Sequence, residues 1–404
     1  MNLDTNLETG SPTHCEQERL RRALAPRVAV VCDLAEEQWP SMDLVGDMLF
    51  QNLGEYCPQV VASQLRPSFE RGASAWFEGK LARNARRWMG RFVYYPRWLR
   101  GQSDDYDLFH IVDHSYSQLI RKLPRGRAVV TCHDLDTFRC LLDPGADKRP
   151  GWFRAMARQI LDGFEQAAHV IAVSEATRTE LLRYHLALPE RISVIPNGVH
   201  PSCSPLPDGE ADRQVREWIG AGNAPVLLNV GSTLARKRLD VFLRVSAAVR
   251  NEIPGVRIVR VGGLTPELEK LAGDLDLKRS MRCLPFLERN FLAAVYRSAT
   301  LLLHTAEAEG FGLPLIEALA CGCPVVASDI PVLREVAGSA AAYCRVADVG
   351  QWRDAVVALL RERSQEPERW RLRRDGGCER AANFSWAENA RLTSHVYEEV
   401  LKCK

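Results

Sequence analysis

The sequence predicts an α/β protein built from two doubly wound domains, on three observations. At 404 residues the chain is too long for one ordinary core and suits two. Short β-branched runs alternate with helical-period segments along its length, the pattern of βαβ units and parallel sheets. The series is interrupted after Pro196-Asn197-Gly198 by a stretch rich in Pro, Ser, Asp and Gly, which reads as a linker.

The first strand is predicted from Arg27 to Cys32, with Trp39-Pro-Ser-Met-Asp43 after it. Further strands are expected at 107–112, 128–132, 170–173 and 192–195. A second series opens at Pro225 with Val226-Leu-Leu-Asn-Val, and its strands are expected at 256–261, 281–285, 299–304 and 324–327. Helices fall between them, for instance 239–251 and 289–298. The expected organisation is a disordered tail over 1–25, a first domain over 26–200, a linker over 201–224 and a second domain over 225–385. Ligands of doubly wound sheets bind beyond the carboxyl ends of the strands, so the cleft between the domains is the expected site.

Composition narrows the class. An apolar fraction of 46% and a charged fraction of 26% are those of a soluble globular protein. A net charge of +2 does not point to nucleic acid. No apolar run is long enough to cross a bilayer, and residues 1–25 lack the apolar core of a secretion signal, so a cytoplasmic protein is expected. The 12 cysteines are scattered through apparent strands and helices, which fits reduced thiols. Cys321 and Cys323 form a C-x-C pair with no second cluster, and no metal site is expected there.

One segment stands apart. From Arg66 to Arg100 there are nine Arg or Lys against two Glu, interleaved with Trp76, Phe77, Trp88, Phe92, Tyr94, Tyr95 and Trp98. Such a helix can lie on an anionic membrane surface. It equally suits a solvated helix whose aromatic side chains pack inward. The interleaving also occurs in binders of single-stranded nucleic acid, but no nucleic-acid partner is expected.

The most informative stretch is Glu309-Gly-Phe-Gly-Leu-Pro-Leu-Ile-Glu317-Ala-Leu-Ala-Cys-Gly-Cys-Pro-Val-Val-Ala-Ser. A strand ends near His304, and a glycine-bearing turn leads into a helix with Pro314 at about its first position. The N–H groups of Gly312 and Leu313 would then face outward at a helix N-terminus, an anion site suited to a diphosphate. Glu317 could accept from a ribose diol, and Glu309 could reach hydroxyls attached beyond the phosphates. The same residues fit a buried helix with an ordinary glycine turn, and the spacing alone does not choose.

This segment resembles the E-x7-E signature of the family 4 (group 1) retaining glycosyltransferases of the GT-B superfamily. The resemblance implies two Rossmann-like domains facing a central cleft, with a C-terminal helix, about 386–404, crossing back to the first domain. It implies that Glu309 contacts the transferred sugar and Glu317 the nucleotide ribose, with Gly310, Phe311, Gly312 and Leu313 among the donor-binding residues. Gly231-Ser-Thr-Leu-Ala-Arg236-Lys237 is similar to the family's glycine loop, whose two cations bind the donor diphosphate; Arg238 stands where Asn is common. Val173-Ser-Glu-Ala-Thr-Arg and Ile195-Pro-Asn-Gly-Val resemble family segments before the domain crossover, with His200 in place of the usual Asp. His133-Asp-Leu is similar to the motif whose imidazole lies by the donor sugar. Phe384-Ser-Trp386 resembles the family's tail.

Taken with the resemblance, these residues predict transfer of a hexose from a nucleoside diphosphate sugar to a glycan or lipid-linked acceptor, at the inner face of the cytoplasmic membrane. Retention at the anomeric carbon is implied by the resemblance alone. No metal and no cofactor are required on this reading. Asp113, His114 and Tyr116, past a strand end in the first half, are acceptor-side candidates or members of a structural hydrogen-bond network. Trp39-Pro-Ser-Met-Asp43 departs from the Gly-Gly turn of many relatives. Three competing readings are a metal-dependent transferase of the single-domain GT-A type using Asp134-Leu-Asp136, a sugar-nucleotide epimerase or hydrolase, and a non-catalytic nucleotide-sugar-binding subunit.

Overall fold

A computed structural model describes residues 25–69, 80–145, 147–220 and 222–402. The tail before residue 25 lies outside that description, as do Trp76 and Phe77. Two six-stranded sheets carry the fold. The first holds β1 (Arg27–Val31), β2 (Val61–Leu65), β3 (Leu108–Ile111), β4 (Ala128–Cys132), β5 (His169–Ala172) and β6 (Ile192–Val194), in the order β2-β1-β3-β4-β5-β6. The second holds β7 (Val226–Val230), β8 (Arg257–Val261), β9 (Met281–Leu284), β10 (Leu301–His304), β11 (Val325–Ser328) and β12 (Ala341–Cys344), in the order β12-β11-β10-β7-β8-β9. The strand pairs run parallel in both sheets. The α/β doubly wound class predicted from sequence is therefore correct.

Strand order locates the switch points, where neighbouring crossovers leave in opposite directions and a crevice opens. In the first sheet that point lies between β1 and β3, and in the second between β7 and β10. The loops after β7 and β10 are the two segments singled out from sequence, 231–238 and 305–312.

The second sheet is covered on both faces, which is why its strands read as continuous apolar runs. Val226, Leu228, Val259, Val261, Leu302, Val325 and Ala327 face one apolar cluster, together with helices Gly209–Ile219, Arg289–Ser298, Leu313–Ala320 and Pro331–Ala337. Leu227, Ile258, Leu301, Leu303 and Val326 face the other, under helices Leu239–Glu252 and Val349–Gln365. Each Val, Leu or Ile among them contributes about 1.5–3 kcal/mol by leaving water.

Two strands escaped the sequence analysis, β2 and β12, and both are edges. Their patterns are half exposed, so Val-Ala-Ser-Gln-Leu and Ala-Ala-Tyr-Cys lack a long apolar run. The stretch 201–224, read as linker, carries helix Gly209–Ile219. It is capped by Asp208, which accepts from Ala211 N, and ends at Gly220 in the left-handed region. Ala211, Val215 and Ile219 bury against the second sheet's core.

The chain forms two compact units: Met1–Thr131, Arg158–His169 and Ala390–Lys404 in one, Cys132–Ala157 and Val170–Asn389 in the other. The closing helix, Trp386–Lys402, thus begins in the second unit and continues in the first. In the first, the Tyr397 hydroxyl lies 2.7 Å from His110 Nδ1 on β3, and Gln59 Nε2 donates to Ser394 Oγ at 3.1 Å. In the second, Asn389 Nδ2 donates to Pro196 O at 2.8 Å and Val199 N to Phe384 O at 3.0 Å.

Gly198 is where this tail meets Pro196-Asn197-Gly198. A Cβ on it would stand 2.3 Å from Trp386 N and 2.6 Å from Trp386 Cγ, so only glycine fits. Gly198→Ala is expected to destabilise the protein by about 1–3 kcal/mol through overpacking, read as a lower midpoint in thermal or urea unfolding. An unchanged midpoint would mean that the tail is not seated there.

Candidate functional site

The loop after β10 is built around Glu309, whose side chain is only 7% exposed. Its Oε1 meets the Lys237 ammonium and lies 2.9 Å from His304 Nε2, while its Oε2 lies 3.5 Å from Arg236 Nη1. Burial pushes this carboxyl up, but Lys237, His304 and Arg236 together overcome it and hold the group well below the usual carboxylate range. Glu309 is therefore ionised throughout the physiological range. Against an ionised carboxylate, His304 Nε2 must carry the proton and donate.

The two cations sit on a short 3-10 turn, Ala235–Lys237, after β7. That turn is stitched to the β10 loop by backbone. Glu307 N donates to Arg236 O at 2.9 Å, and Thr305 Oγ1 lies 3.0 Å from Lys237 O and 3.1 Å from Arg238 O. Arg236 also donates to Ala308 O at 3.1 Å and to Asp134 Oδ2 at 3.1 Å. Arg238 has φ +48°, a left-handed conformation uncommon for a residue other than glycine. It is held there by Asp240 and by Glu307.

Gly310 and Gly312 are both required by geometry. A Cβ on Gly310 would lie 1.5 Å from His133 O, so the loop's backbone rests directly on the residue that follows β4. Ser174 Oγ donates to Gly310 O at 2.9 Å from the other side. Gly312 has φ +93° and begins helix Leu313–Ala320, its carbonyl accepting from Leu315 N at 3.0 Å. The Gly312 and Leu313 amides precede that first helical bond, in the position suited to an anion. Phe311 differs from its expected donor role in its side chain, which is 5% exposed and packs edge-on against Phe384 at 5.6 Å. A core position claims the ring, leaving only backbone to a ligand.

The structure brings Glu309, Arg236, Lys237, Gly310 and His133, all singled out from sequence, into one neighbourhood. Sequence reasoning did not single out His304, Ser174 or Arg236's partner Asp134 as members. The available signal was position: each follows or ends a strand of a parallel sheet. Glu317 stands apart from this network. It is buried on helix Leu313–Ala320, where the Tyr296 hydroxyl donates to Oε2 at 2.9 Å and Arg289 Nη1 lies 3.5 Å from Oε1. Burial raises its pKa, and Arg289 and the Tyr296 hydrogen bond oppose the rise.

Asp134, once weighed as half of an Asp-x-Asp metal site, has its carboxylate engaged. Oδ1 accepts from Asp136 N at 2.9 Å and Oδ2 from Arg236, while Asp136 faces Arg149 at 3.7 Å. Two six-stranded sheets also stand where the GT-A reading required a single domain.

In the first unit, the three acceptor-side candidates form a hydrogen-bonded cluster past β3. Asp113 caps the 3-10 stretch His114–Lys122, accepting from Ser115 N at 2.8 Å and from Ser115 Oγ at 2.5 Å. His114 Nδ1 lies 3.4 Å from Asp113 Oδ1, and both residues are buried. The Tyr116 hydroxyl accepts from Leu34 N at 3.4 Å and donates to Glu37 Oε1 at 3.2 Å, under the Arg91 guanidinium 4.2 Å from its ring. Asp33, just past β1, was not singled out from sequence. It is 4% exposed, and its Oδ1 has no hydrogen-bond partner among the described residues. Burial, then the charge of Asp113, pushes its carboxyl well above the usual range.

Comparison with known proteins agrees with this geometry. Residues 212–374 match the family model described as glycosyl transferases group 1, and residues 56–202 match that of glycosyltransferase family 4. A D-inositol 3-phosphate glycosyltransferase of Thermobispora bispora is 29% identical over 289 residues, covering 68% of this chain and 65% of that protein. The chain thus spans a little under two thirds of that relative's length. Among solved structures, sucrose-phosphate synthase from Thermosynechococcus elongatus superposes with a TM-score of 0.69 at 19% identity, covering 94% of this chain and 100% of the other. Anabaena HepE in complex with UDP-glucose gives 0.69 at 16% identity, covering 93% and 100%. Both domains carry the match, and the acid-bearing loop and the Arg-Lys turn fall inside it: the chain belongs to the group 1 and family 4 glycosyltransferases.

Proposed function

We propose that the protein transfers a hexose from a nucleoside diphosphate sugar to a glycan or lipid-linked acceptor, with retention at the anomeric carbon. The observation that carries this reading is the ion cluster of Glu309 with Lys237, Arg236 and His304 at the switch point of the second sheet. Arg236, Lys237 and the amides of Gly312 and Leu313 stabilise the charge that develops on the departing diphosphate. With two cations and a helix N-terminus there, the reading needs no metal and no cofactor. Glu309, ionised and buried, positions the sugar and favours oxocarbenium-like charge at the anomeric carbon. Glu317 accepts from the ribose diol, and His133 donates to the sugar or the departing phosphate. Gly231 opens the glycine loop over the diphosphate.

The acceptor side belongs to the first unit on this reading, past the ends of β1 and β3, with Asp113, His114 and Tyr116 forming its floor. The division into an acceptor-side domain and a donor domain, expected from sequence over 26–200 and 225–385, is part of the same proposal, with helix Gly209–Ile219 of the expected linker joining the donor domain's core. Residues 66–100 supply a peripheral contact with the inner face of the cytoplasmic membrane. What supports that contact is the exposure of Trp88 at 50% and Tyr94 at 45% on a segment rich in arginine. No described helix is long and apolar enough to cross a membrane.

A thermal-shift panel of UDP-, GDP- and ADP-sugars, each with and without EDTA, tests the donor site. One nucleotide sugar is expected to raise the unfolding midpoint, with the shift surviving chelation. A shift that vanishes with EDTA would overturn the metal-free reading, and a flat panel would favour a non-catalytic subunit.

Glu309→Gln separates chemistry from binding. Turnover is expected to fall about 10²–10³-fold, the scale seen when one electrostatic stabiliser is removed, while nucleoside diphosphate affinity holds or tightens as both cations lose their carboxylate. Intact turnover would remove Glu309 from the mechanism. For the membrane contact, co-sedimentation with vesicles containing anionic lipid and none with neutral vesicles is expected. Equal partition into both, or into neither, would overturn the electrostatic contact.

A further inference from the structure

Arg260 occupies a place where the alternation of β8 calls for an apolar side chain. Its neighbours on that face of the sheet are Leu227, Ile258, Leu301 and Leu303, all in the apolar core. Arg260 itself is 0% exposed, and no carboxylate pairs with it among the described residues. A buried, unpaired cation is costly unless other groups solvate it. Here the solvating groups are neutral oxygens. Nη1 donates to Asn229 Oδ1 at 3.0 Å and to Val261 O at 2.7 Å, and Nη2 donates to Gly231 O at 2.5 Å and to Ser232 O at 3.2 Å. Asn229 is fixed in turn by donating to Leu303 O at 2.9 Å. Burial pushes the guanidinium down to about 10, which leaves it charged at neutral pH.

The last two contacts set the orientation of the glycine loop. In a planar trans peptide the C=O and the following N–H point in opposite directions. With the Gly231 and Ser232 carbonyls turned inward to Arg260, the Ser232 and Thr233 amides are turned away from it. Neither amide donates a hydrogen bond among the described residues, and Thr233 is exposed. Gly262 leaves room for this arrangement, since a Cβ on it would stand 2.6 Å from Gly231 O and 3.1 Å from Arg260 Nη2. Successive outward amides make an anion-binding concavity, and a cation behind their carbonyls polarises each peptide toward stronger donation.

We propose that Arg260 is a positioning residue for the donor's diphosphate, holding the glycine loop from behind so that the Ser232 and Thr233 amides face the phosphates beside Arg236 and Lys237. The inference rests on the donor-site reading above. Arg260 does not touch the ligand. Its role is to fix the two peptides and to add a buried positive charge to the cradle.

The test compares affinities for UDP, GDP or ADP, whichever the wild type binds, with affinities for the matching nucleoside, by calorimetry with displacement. Arg260→Met is expected to weaken diphosphate binding tenfold or more and to leave nucleoside affinity within twofold. A merely structural arginine would lower both together, or lower only the unfolding midpoint. An unchanged ratio of the two affinities therefore overturns the proposal. Should Arg260→Met not fold, Arg260→Lys keeps the charge but loses the fork that spans both carbonyls. It is expected to cut the ratio at least threefold, and no change overturns the proposal. Lys237→Ala separates the two levels of inference. If it too leaves the ratio unchanged, the diphosphate is not bound here and the donor-site reading fails. If it collapses the ratio while the Arg260 variants do not, only the role of Arg260 falls.

Discussion

A carboxylate taken out of water destabilises a fold unless cations and hydrogen-bond donors stand against it, and they must stand at contact distance to suffice. Glu309 meets that requirement with Lys237, Arg236 and His304, drawn from one turn and a strand end. Much of the local architecture follows. The turn Ala235–Lys237 must be tied to the β10 loop, which Thr305 and the Glu307 amide do. Gly310 must carry no side chain, because its backbone lies on His133 O while Ser174 closes on its carbonyl. Gly312 must take a left-handed turn to start the next helix. Several sequence features that look unrelated in the chain answer to one buried charge.

The parts of the fold legible in sequence were those where burial on both faces leaves an uninterrupted apolar run. Val226 to Val230 and Leu301 to His304 are strands of that kind, each with side chains in both cores. β2 and β12 were illegible because most of their positions are only partly buried and their sequences lack the β-branched apolar run of the central strands. Helix Gly209–Ile219 was hidden by the turn-forming residues around it, although Asp208 and Gly220 are ordinary cap residues at its two ends. The site divides in the same way. Glu309, Arg236 and Lys237 were singled out through the resemblance of their motifs to a known family, since their spacing alone does not choose. His304, Asp134, Arg260 and Tyr296 act through neighbours 5 to 102 positions distant, a relation created by the sheet order and invisible in local pattern.

The basic aromatic segment resolves into two populations, which explains why its composition alone supports two readings. Tyr95 is fully buried and its hydroxyl donates to Cys32 O at 2.7 Å, beside Leu65 O at 3.2 Å, so it bridges the ends of β1 and β2. Leu99 is buried as well, whereas Trp88 and Tyr94 remain outside. A π-helical stretch, Gly90–Tyr94, joins the helical pieces on either side. Such a stretch changes the angular phase of everything after it, and Tyr94 and its neighbour Tyr95 lie on opposite sides of that change. Gly90 fits against Leu34 at the same point, with room for a Cβ only at 3.1 Å from Leu34 Cδ1. The segment is thereby anchored to the loop after β1, next to Asp33 and the Tyr116 cluster.

On the proposed reading, donor binding changes which anion the two cations serve. In the structure Arg236 is shared between Asp134 and Glu309, and Lys237 is held by Glu309 alone. Two cations against two carboxylates leave little net charge to attract a diphosphate over distance. The outward amides after Gly231, backed by Arg260, and those at Gly312 and Leu313 have no such internal competitor. They are the groups available to take the first phosphate contact, and the cations follow by exchanging partners. That exchange releases Glu309 from Lys237 while His304 still holds Oε1, so a buried negative charge appears beside the donor only when the diphosphate has arrived. An electrostatic stabiliser that stays paired until its own substrate takes over its cations avoids the standing cost of an unpaired buried charge. The ion pair that makes Glu309 tolerable in the fold is, on this reasoning, the same contact that couples donor binding to chemistry.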